Sequence, residues 1–183
     1  MPRLPSAIVA TIVLVTAACT DPFSSAVALS KKQAPLPHAL RVGDRLPDSG
    51  EIATIGPLAL RISRGGPDFA RLVRCDGPDL VFKDEEGTGA DRMMTRKLCA
   101  KLHRLSPLVE GEWPGVRPRV TEAWDERAEH GANSVHYEGR AADLTASDGD
   151  PRKLGRLARL AVDAGLDWVF YEDGSHVHAS VRR

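Results

Sequence analysis

Ten residues constrain this chain more than any others. Residues 134–143 read Ser-Val-His-Tyr-Glu-Gly-Arg-Ala-Ala-Asp, an S-x-H-x-x-G-x-A-x-D pattern, and a second stretch, Glu172-Asp-Gly-Ser-His176-Val-His178, lies near the C-terminus. Together they supply two imidazoles and a carboxylate as metal ligands, with a further Glu and a further His beside them. Three protein ligands, an open fourth position and an acid–base group for a metal-bound water make up a catalytic zinc site. His176 and His178 fall in the alternating run His-Val-His-Ala-Ser-Val, so on a strand they share one face about 7 Å apart. His136 and Asp143 have an odd spacing and would face opposite sides of a straight strand. Gly139 between them supplies the bend that turns both to one metal. An isolated His-x-His is most often a surface or core pair, but five suitable residues in two compact clusters make metal binding the stronger reading.

The N-terminus reads as a leader. Arg3 provides a positive n-region and residues 7–18 a short apolar h-region, too short to span a bilayer, which takes about 20 residues. Thr16-Ala17-Ala18-Cys19 resembles a bacterial lipoprotein cleavage and lipidation site, so residues 1–18 are expected to be removed and Cys19 lipidated, anchoring the protein in the membrane of a bacterial cell envelope. An ordinary signal peptide cut near Ala18 is the alternative. About 165 residues then remain, suiting one domain. Lys and Arg number 25 against 25 Asp and Glu, and no basic excess argues for nucleic acid. Cys75 and Cys99 are either a disulfide, as an exported chain permits, or buried thiols. With no C-x-x-C, cysteine is not expected to hold zinc.

Residues 19–57, with Pro22, Pro35, Pro37, Pro47 and Pro57, read as a tether and irregular lead-in to a domain spanning 58–183. The alternation at 58–63 predicts the first strand, and the apolar run 80–82 another. Met94, Leu98, Leu102 and Leu105 form one stripe of a helix that begins near Asp91 and is interrupted by Pro107. Residues 119–122 predict a strand. Asp150 as N-cap and Pro151 at the first helical position open a second helix, lined by Leu154, Leu157, Ala158, Ala161 and Val162 and ended by Gly165. Residues 168–171 read as a buried strand leading to Glu172. The expected fold is α+β, a mostly antiparallel sheet with two main helices.

The S-x-H-x-x-G-x-A-x-D element with a downstream Glu and H-x-H resembles the zinc D-Ala-D-Ala carboxypeptidases and their relatives that cut bacterial cell-wall peptides. Further segments carry a narrower resemblance. They are Phe-Lys-Asp-Glu-Glu at 82–86, Thr-Gly-Ala-Asp-Arg at 88–92, Trp-Pro-Gly-Val at 113–116, Arg-Val-Thr-Glu at 119–122, Trp-Asp-Glu at 124–126, His-Tyr-Glu-Gly-Arg-Ala at 136–141 and Leu-Ala-Arg-Leu-Ala-Val at 157–162. Over about residues 60–183 the chain resembles the N-terminal signalling domain of Hedgehog proteins, which is similar to the carboxypeptidases in fold and zinc site.

The site would place zinc on His136, Asp143 and His178, with water in the fourth position. Glu172 would take the water's proton and pass it to the leaving amine, His176 would hydrogen-bond the oxyanion or the water, and His130 matches a Hedgehog histidine at the rim of the cleft. The substrate the resemblance implies is a peptide with D-amino acids in the bacterial cell wall. The favoured reading is an exported zinc peptidase, because the leader looks bacterial and Glu172 and His176 are both present. Hedgehog domains of animals carry a similar site yet act as ligands for receptors, so the alternative is a non-catalytic module that binds a protein ligand, stabilised by zinc and calcium. A calcium-regulated adhesion domain is the third class. Glu85, Glu86, Asp91, Glu122 and Asp125 match acidic positions that bind calcium in Hedgehog domains. Read alone, the acidic run at 84–91 is a favourable charge before a helix. Arg127 stands where the family has another acidic residue, and a cation there repels calcium, so one ion at most is expected. No self-splicing segment follows the domain in this sequence, so animal-type processing with cholesterol attachment is not expected.

Overall fold

Eight strands and three α-helices are found in the computed structural model, which describes residues 38–183. The strands are β1 (Arg45–Leu46), β2 (Leu72–Arg74), β3 (Val81–Phe82), β4 (Met93–Thr95), β5 (Pro118–Glu122), β6 (Ala141–Ala146), β7 (Trp168–Phe170) and β8 (Val177–Ser180). The helices are α1 (Glu51–Ile55), α2 (Arg96–Glu112) and α3 (Leu154–Asp163). One six-stranded sheet has the order β1-β7-β8-β6-β5-β3, antiparallel except where β3 meets β5, and β2 and β4 form a separate antiparallel pair. This is the expected α+β architecture. The leader, Cys19 and most of the tether lie outside the described residues, among which no helix is long and apolar enough to cross a membrane.

Side-chain alternation decides which face of the sheet holds what. Ala142, Leu144 and Ala146 of β6 and Val177 and Ala179 of β8 are buried in one cluster with Leu98, Leu102, Leu105 and Val109 of α2 and Leu154, Leu157, Ala158 and Ala161 of α3. The helices therefore cover that face. Asp143 and His178 alternate to the other face and are direct partners across the β6–β8 ladder. On β5 a register shift falls between Val120, opposite Leu144, and Glu122, opposite Asp143. The extra residue of this bulge moves Glu122 from the helix face to the face of Asp143. Gly139 makes the bend expected from the sequence: its φ is +63°, and a Cβ there would lie 2.6 Å from Leu72 Cδ2.

Several elements differ from expectation. Residues 58–63 join no sheet; Ile62 instead donates its N–H to the Tyr137 carbonyl and accepts from the Trp124 indole. The first strand, β1, and helix α1 fall inside the stretch read as tether, and β1 pairs with β7. Helix α2 begins at Arg96, because residues 93–95 are drawn into the β2 ladder and Thr95 caps the helix by accepting from Leu98 N–H. Pro107 lies within α2, which runs on to Glu112. An interior proline costs about 3 kcal/mol, but Leu105 and Val109 flanking it are fully buried, and each contributes about 1.5–3 kcal/mol. Asp150 does cap the second helical segment, accepting from Arg152 N–H, although residues 151–153 form a 3₁₀ turn before α3 proper. Cys75 and Cys99 form a disulfide that ties the segment after β2 to α2.

Arg140 fastens the lead-in to the domain. Its guanidinium is buried and donates to Glu138, to the carbonyls of Ile55 and Val181, and to those of Gly56 and Pro57. Removing the charge takes the guanidinium donor from the buried Ile55 and Val181 carbonyls, whereas Glu138 and the Pro57 carbonyl still meet Arg183. Arg140→Met is expected to lower the unfolding free energy by about 3–5 kcal/mol in urea denaturation, and a loss below about 1 kcal/mol would show that the hub is dispensable.

Candidate metal centre

Four segments converge on the sheet face opposite α2 and α3. His136 sits on a 3₁₀ turn, Val135–Glu138, opened by Ser134, whose hydroxyl accepts from the His136 N–H. Asp143 is on β6, His178 on β8, and Glu51 is the first residue of α1. His136 is fully buried, and its Nδ1–H donates to the Ala123 carbonyl at 2.6 Å. In the neutral ring that bond leaves the Nε2 lone pair facing the cluster. His136 Nε2 lies 3.3 Å from His178 Nδ1 and 3.6 Å from Asp143 Oδ1, and the last two atoms are 3.0 Å apart. Four-coordinate zinc with bonds of about 2.0–2.1 Å spaces its ligand atoms by about 3.3–3.4 Å. The triangle thus has the size and the donor types of a zinc site.

Glu51 is the part that sequence reasoning missed. His178 presents Nδ1 to the cluster and its other ring nitrogen, Nε2, to Glu51 Oε1 at 2.8 Å. A carboxylate behind a ligating imidazole fixes its tautomer and ring plane and raises its basicity. No local signal marks Glu51, because its partner lies 127 residues away and long-range contacts, the β1–β7 pairing and the Arg140 hydrogen bonds among them, bring α1 to the site.

Charge at the centre is arranged to hold a cation. Burial raises the Asp143 pKa, but the imidazoles of His136, His130 and His178 outweigh it and hold this carboxyl well below the usual range. Burial lowers the His178 pKa, yet the hydrogen bonds to Asp143 and Glu51 win and push it up to about 10. His130 is pushed up to about 9, chiefly by the Asp143 carboxylate, against burial and with Asp125 and Glu122 adding to the rise. A divalent ion would take the place of protons that the cluster otherwise binds.

The other expected catalytic residues gather on one side of Asp143. His130 Nε2 and His176 Nε2 each lie 3.8 Å from Asp143 Oδ2, and the His130 ring stacks on that of His136 with centroids 4.1 Å apart. His176 precedes β8 rather than lying on it. Glu172 reaches His176 Nε2 at 3.2 Å, and its side chain is 48% exposed.

The acidic residues form a neighbouring cleft. Glu86, Asp91, Glu122 and Asp125 line it together with Lys83, Glu126 and Arg127. Glu85 does not; it turns outward and pairs with Lys83 at 2.7 Å. Asp125 is already committed, since its carboxylate accepts from the backbone N–H groups of residues 127–130 and from His130. Glu126 is paired with Arg64. Burial raises the pKa of both Asp91 and Glu122. His130 Nδ1 also meets Glu122 at 3.2 Å, so this one ring touches both clusters.

Comparison with known proteins follows the same residues. The family model of the Hedgehog amino-terminal signalling domain matches residues 21–180. The chain belongs to this family. It is 52% identical over 122 residues to an Indian hedgehog protein of Gallus gallus, an alignment covering 67% of this chain and 30% of the relative. It is 53% identical over 127 residues to a protein hedgehog of Drosophila hydei, covering 69% and 26%, and 48% identical over 147 residues to that of Drosophila pseudoobscura pseudoobscura, covering 79% and 31%. This Hedgehog-type chain thus spans about a third or less of the length of these relatives.

Two substitutions test the centre separately from its buttress. His178→Ala should abolish stoichiometric zinc in elemental analysis. Glu51→Gln should keep one zinc per chain and weaken its affinity about 10–100-fold in chelator competition; unchanged affinity would remove Glu51 from the centre.

Proposed function

We propose that this chain is an exported, zinc-stabilised Hedgehog-type module that acts by binding a protein partner, the partner class being the ectodomain of a receptor. The observation that carries this reading is the bridge made by His178, one ring nitrogen turned to Asp143 and the other to Glu51. Zinc on His136, Asp143 and His178 joins the 3₁₀ turn, β6 and β8, and through Glu51 it holds the lead-in helix as well. An ion so placed is a structural cross-link. The family match supports the same reading. Zinc in about 1,000-fold excess over its Kd would add about 4 kcal/mol to stability. Chelation should lower the melting temperature and weaken partner binding together, and receptor binding that survives complete zinc removal would contradict the proposal.

A second reading rests on the convergence of His130 and His176 beside Asp143 Oδ2, with Glu172 behind His176. Those groups suit hydrolysis of D-amino-acid-containing peptides of the bacterial cell wall, by a protein anchored through lipid on Cys19. The bound zinc would supply Lewis acidity and an activated water; Glu172 and His176 would move the proton, and His130 would orient the substrate at the rim. The zinc-loaded wild type is expected to leave a panel of peptidoglycan fragments intact by mass spectrometry. Cleavage by wild type, reduced about 10²–10⁴-fold in a Glu172→Gln variant that keeps its zinc and melting temperature, would establish the peptidase instead.

The acidic cleft is assigned one weak calcium ion at most, on Glu86, Asp91 and Glu122, with Arg127 as a resident positive charge that disfavours a second. Calorimetry should show one weak event or none in the wild type and tighter binding in Arg127→Asp. Two tight sites in the wild type would overturn the assignment.

A further inference from the structure

Away from both clusters, a disulfide, a histidine and a carboxylate line up in a row. Cys99 and His103 lie one turn apart on α2 and so share a face, while Cys75 and Asp79 belong to the segment that follows β2. His103 Nδ1 meets Asp79 Oδ2 at 2.7 Å, and His103 Nε2 lies 3.7 Å from Cys75 Sγ. A carboxylate only accepts, so in the neutral ring Nδ1 carries the proton and Nε2 turns its lone pair to the sulfur. This is the arrangement found at His136 and His178, an imidazole pinned behind by an acceptor and open in front.

The surroundings hold that geometry. Ser106 donates its hydroxyl to the Asp79 carbonyl, Arg117 donates to the Pro78 carbonyl, and Cys75 N–H donates to the Arg92 carbonyl. A Cβ at Gly77 would lie 2.4 Å from Asp79 Oδ1 and 2.9 Å from His103 Cε1, so only glycine lets the dyad close. The side chains of His103 and Asp79 are 35% and 36% exposed, and Cys99 is partly buried where Cys75 is fully buried. The row is therefore open to solvent from the Cys99 and His103 side.

We propose that Cys75, Cys99 and His103 are the ligands of a second, redox-gated site for a thiophilic divalent cation such as zinc, closed by the disulfide and opened by two-electron reduction with a dithiol, with Asp79 orienting His103. Two thiolates and an imidazole are a zinc ligand set that leaves a fourth position free. The spacing suits it: with bonds of about 2.3 Å to sulfur and about 2.0–2.1 Å to nitrogen, a tetrahedral ion sets S and N about 3.6 Å apart, against the 3.7 Å found between Cys75 Sγ and His103 Nε2. On opening, the sulfurs part to about 3.7–3.8 Å, and Cys99, the less buried of the two cysteines, is the one placed to move. The attacking thiolate of the dithiol bonds to Cys99 Sγ, the S–S bond breaks, and its electron pair goes to Cys75 Sγ. The second thiol of the reagent then displaces Cys99 and leaves as an external disulfide. Protein disulfide, dithiol and divalent cation become the metal dithiolate, the external disulfide and two protons. The sequence alone argues against cysteine as a ligand, because no C-x-x-C occurs; the fold supplies instead a cysteine and a C-x-x-x-H on one helix.

The full chain carrying Cys19→Ala, its His136, Asp143 and His178 centre first filled with zinc while the disulfide is closed, is reduced with a phosphine, freed of reagent without oxygen and titrated with Co²⁺. A sulfur-to-cobalt charge-transfer band reports this site alone, because the His136, Asp143 and His178 centre has no sulfur. The reduced protein should develop the band with one equivalent, the oxidised protein should show none, and dithiothreitol should open the disulfide while the circular dichroism stays native. His103→Ala and Asp79→Asn should each weaken cobalt binding about 10–100-fold, the first by losing a ligand and the second its orientation. No band in the reduced protein, undiminished affinity in both variants, or a disulfide that dithiothreitol opens only on unfolding would each overturn the proposal.

Discussion

The register of β6 against β8 is the constraint on which the candidate centre depends. Asp143 and His178 oppose each other on one face only because Ala142, Leu144, Val177 and Ala179 take the other, under α2 and α3. Slipping either strand by one residue would exchange the two sets. Leucine, valine and alanine would then face the other side, and a carboxylate and an imidazole would enter the core without water. Apolar burial, worth about 1.5–3 kcal/mol for each large side chain, thus fixes the geometry of groups that contribute nothing to that burial. The bulge in β5 extends the same logic. It leaves Val120 in the core and turns Glu122, its near neighbour, out toward His130.

Electrostatics then organises what the sheet has placed. The two anionic clusters are joined through His130, whose ring stacks on His136 and bonds Asp125 and Glu122. Asp125 in turn gathers four backbone N–H groups, so the loop at 127–130 and the ring it carries are held by one carboxylate. Around the acidic cleft the balance is struck with cations of the chain itself: Lys83 on Glu85, Arg64 on Glu126, and Arg127 at the edge. A cleft that carries its own positive charge gains less from a bound ion than one that does not. The centre at His136, Asp143 and His178 has no lysine or arginine among these contacts, which is the electrostatic reason to look for a cation there.

The lead-in makes this more than a sheet with two helices. Arg140 donates to carbonyls at residues 55–57, and Glu51 backs His178, so a segment rich in proline and poor in pattern becomes part of the centre. Its short elements, β1 and α1, are held by partners far away in sequence and would have no stability alone.

The sequence by itself determined the fold class, the two main helices, the strands near residues 80–82, 119–122 and 168–171, the bend at Gly139 and the two stretches, 134–143 and 172–178, that hold the candidate ligands. Each of these follows from local information: a period of 2 or 3.6, a cap, a glycine, or a short motif of ligating side chains. Tertiary structure decided the rest. Glu51 joined the centre because β1 pairs with β7 and Arg140 holds the end of α1, the Cys75–Cys99 bond formed because β2 and α2 lie side by side, and α2 ran through Pro107 because both neighbouring turns are locked in the core. Glu85 fell out of the acidic cleft and Asp125 was taken up by its own loop, since a carboxylate binds whichever donor is nearest in space. Periodicity and caps act over a few residues and can be read along a chain. Long-range partners are chosen by the whole fold's burial and charge, and they become visible only when the chain has closed on itself.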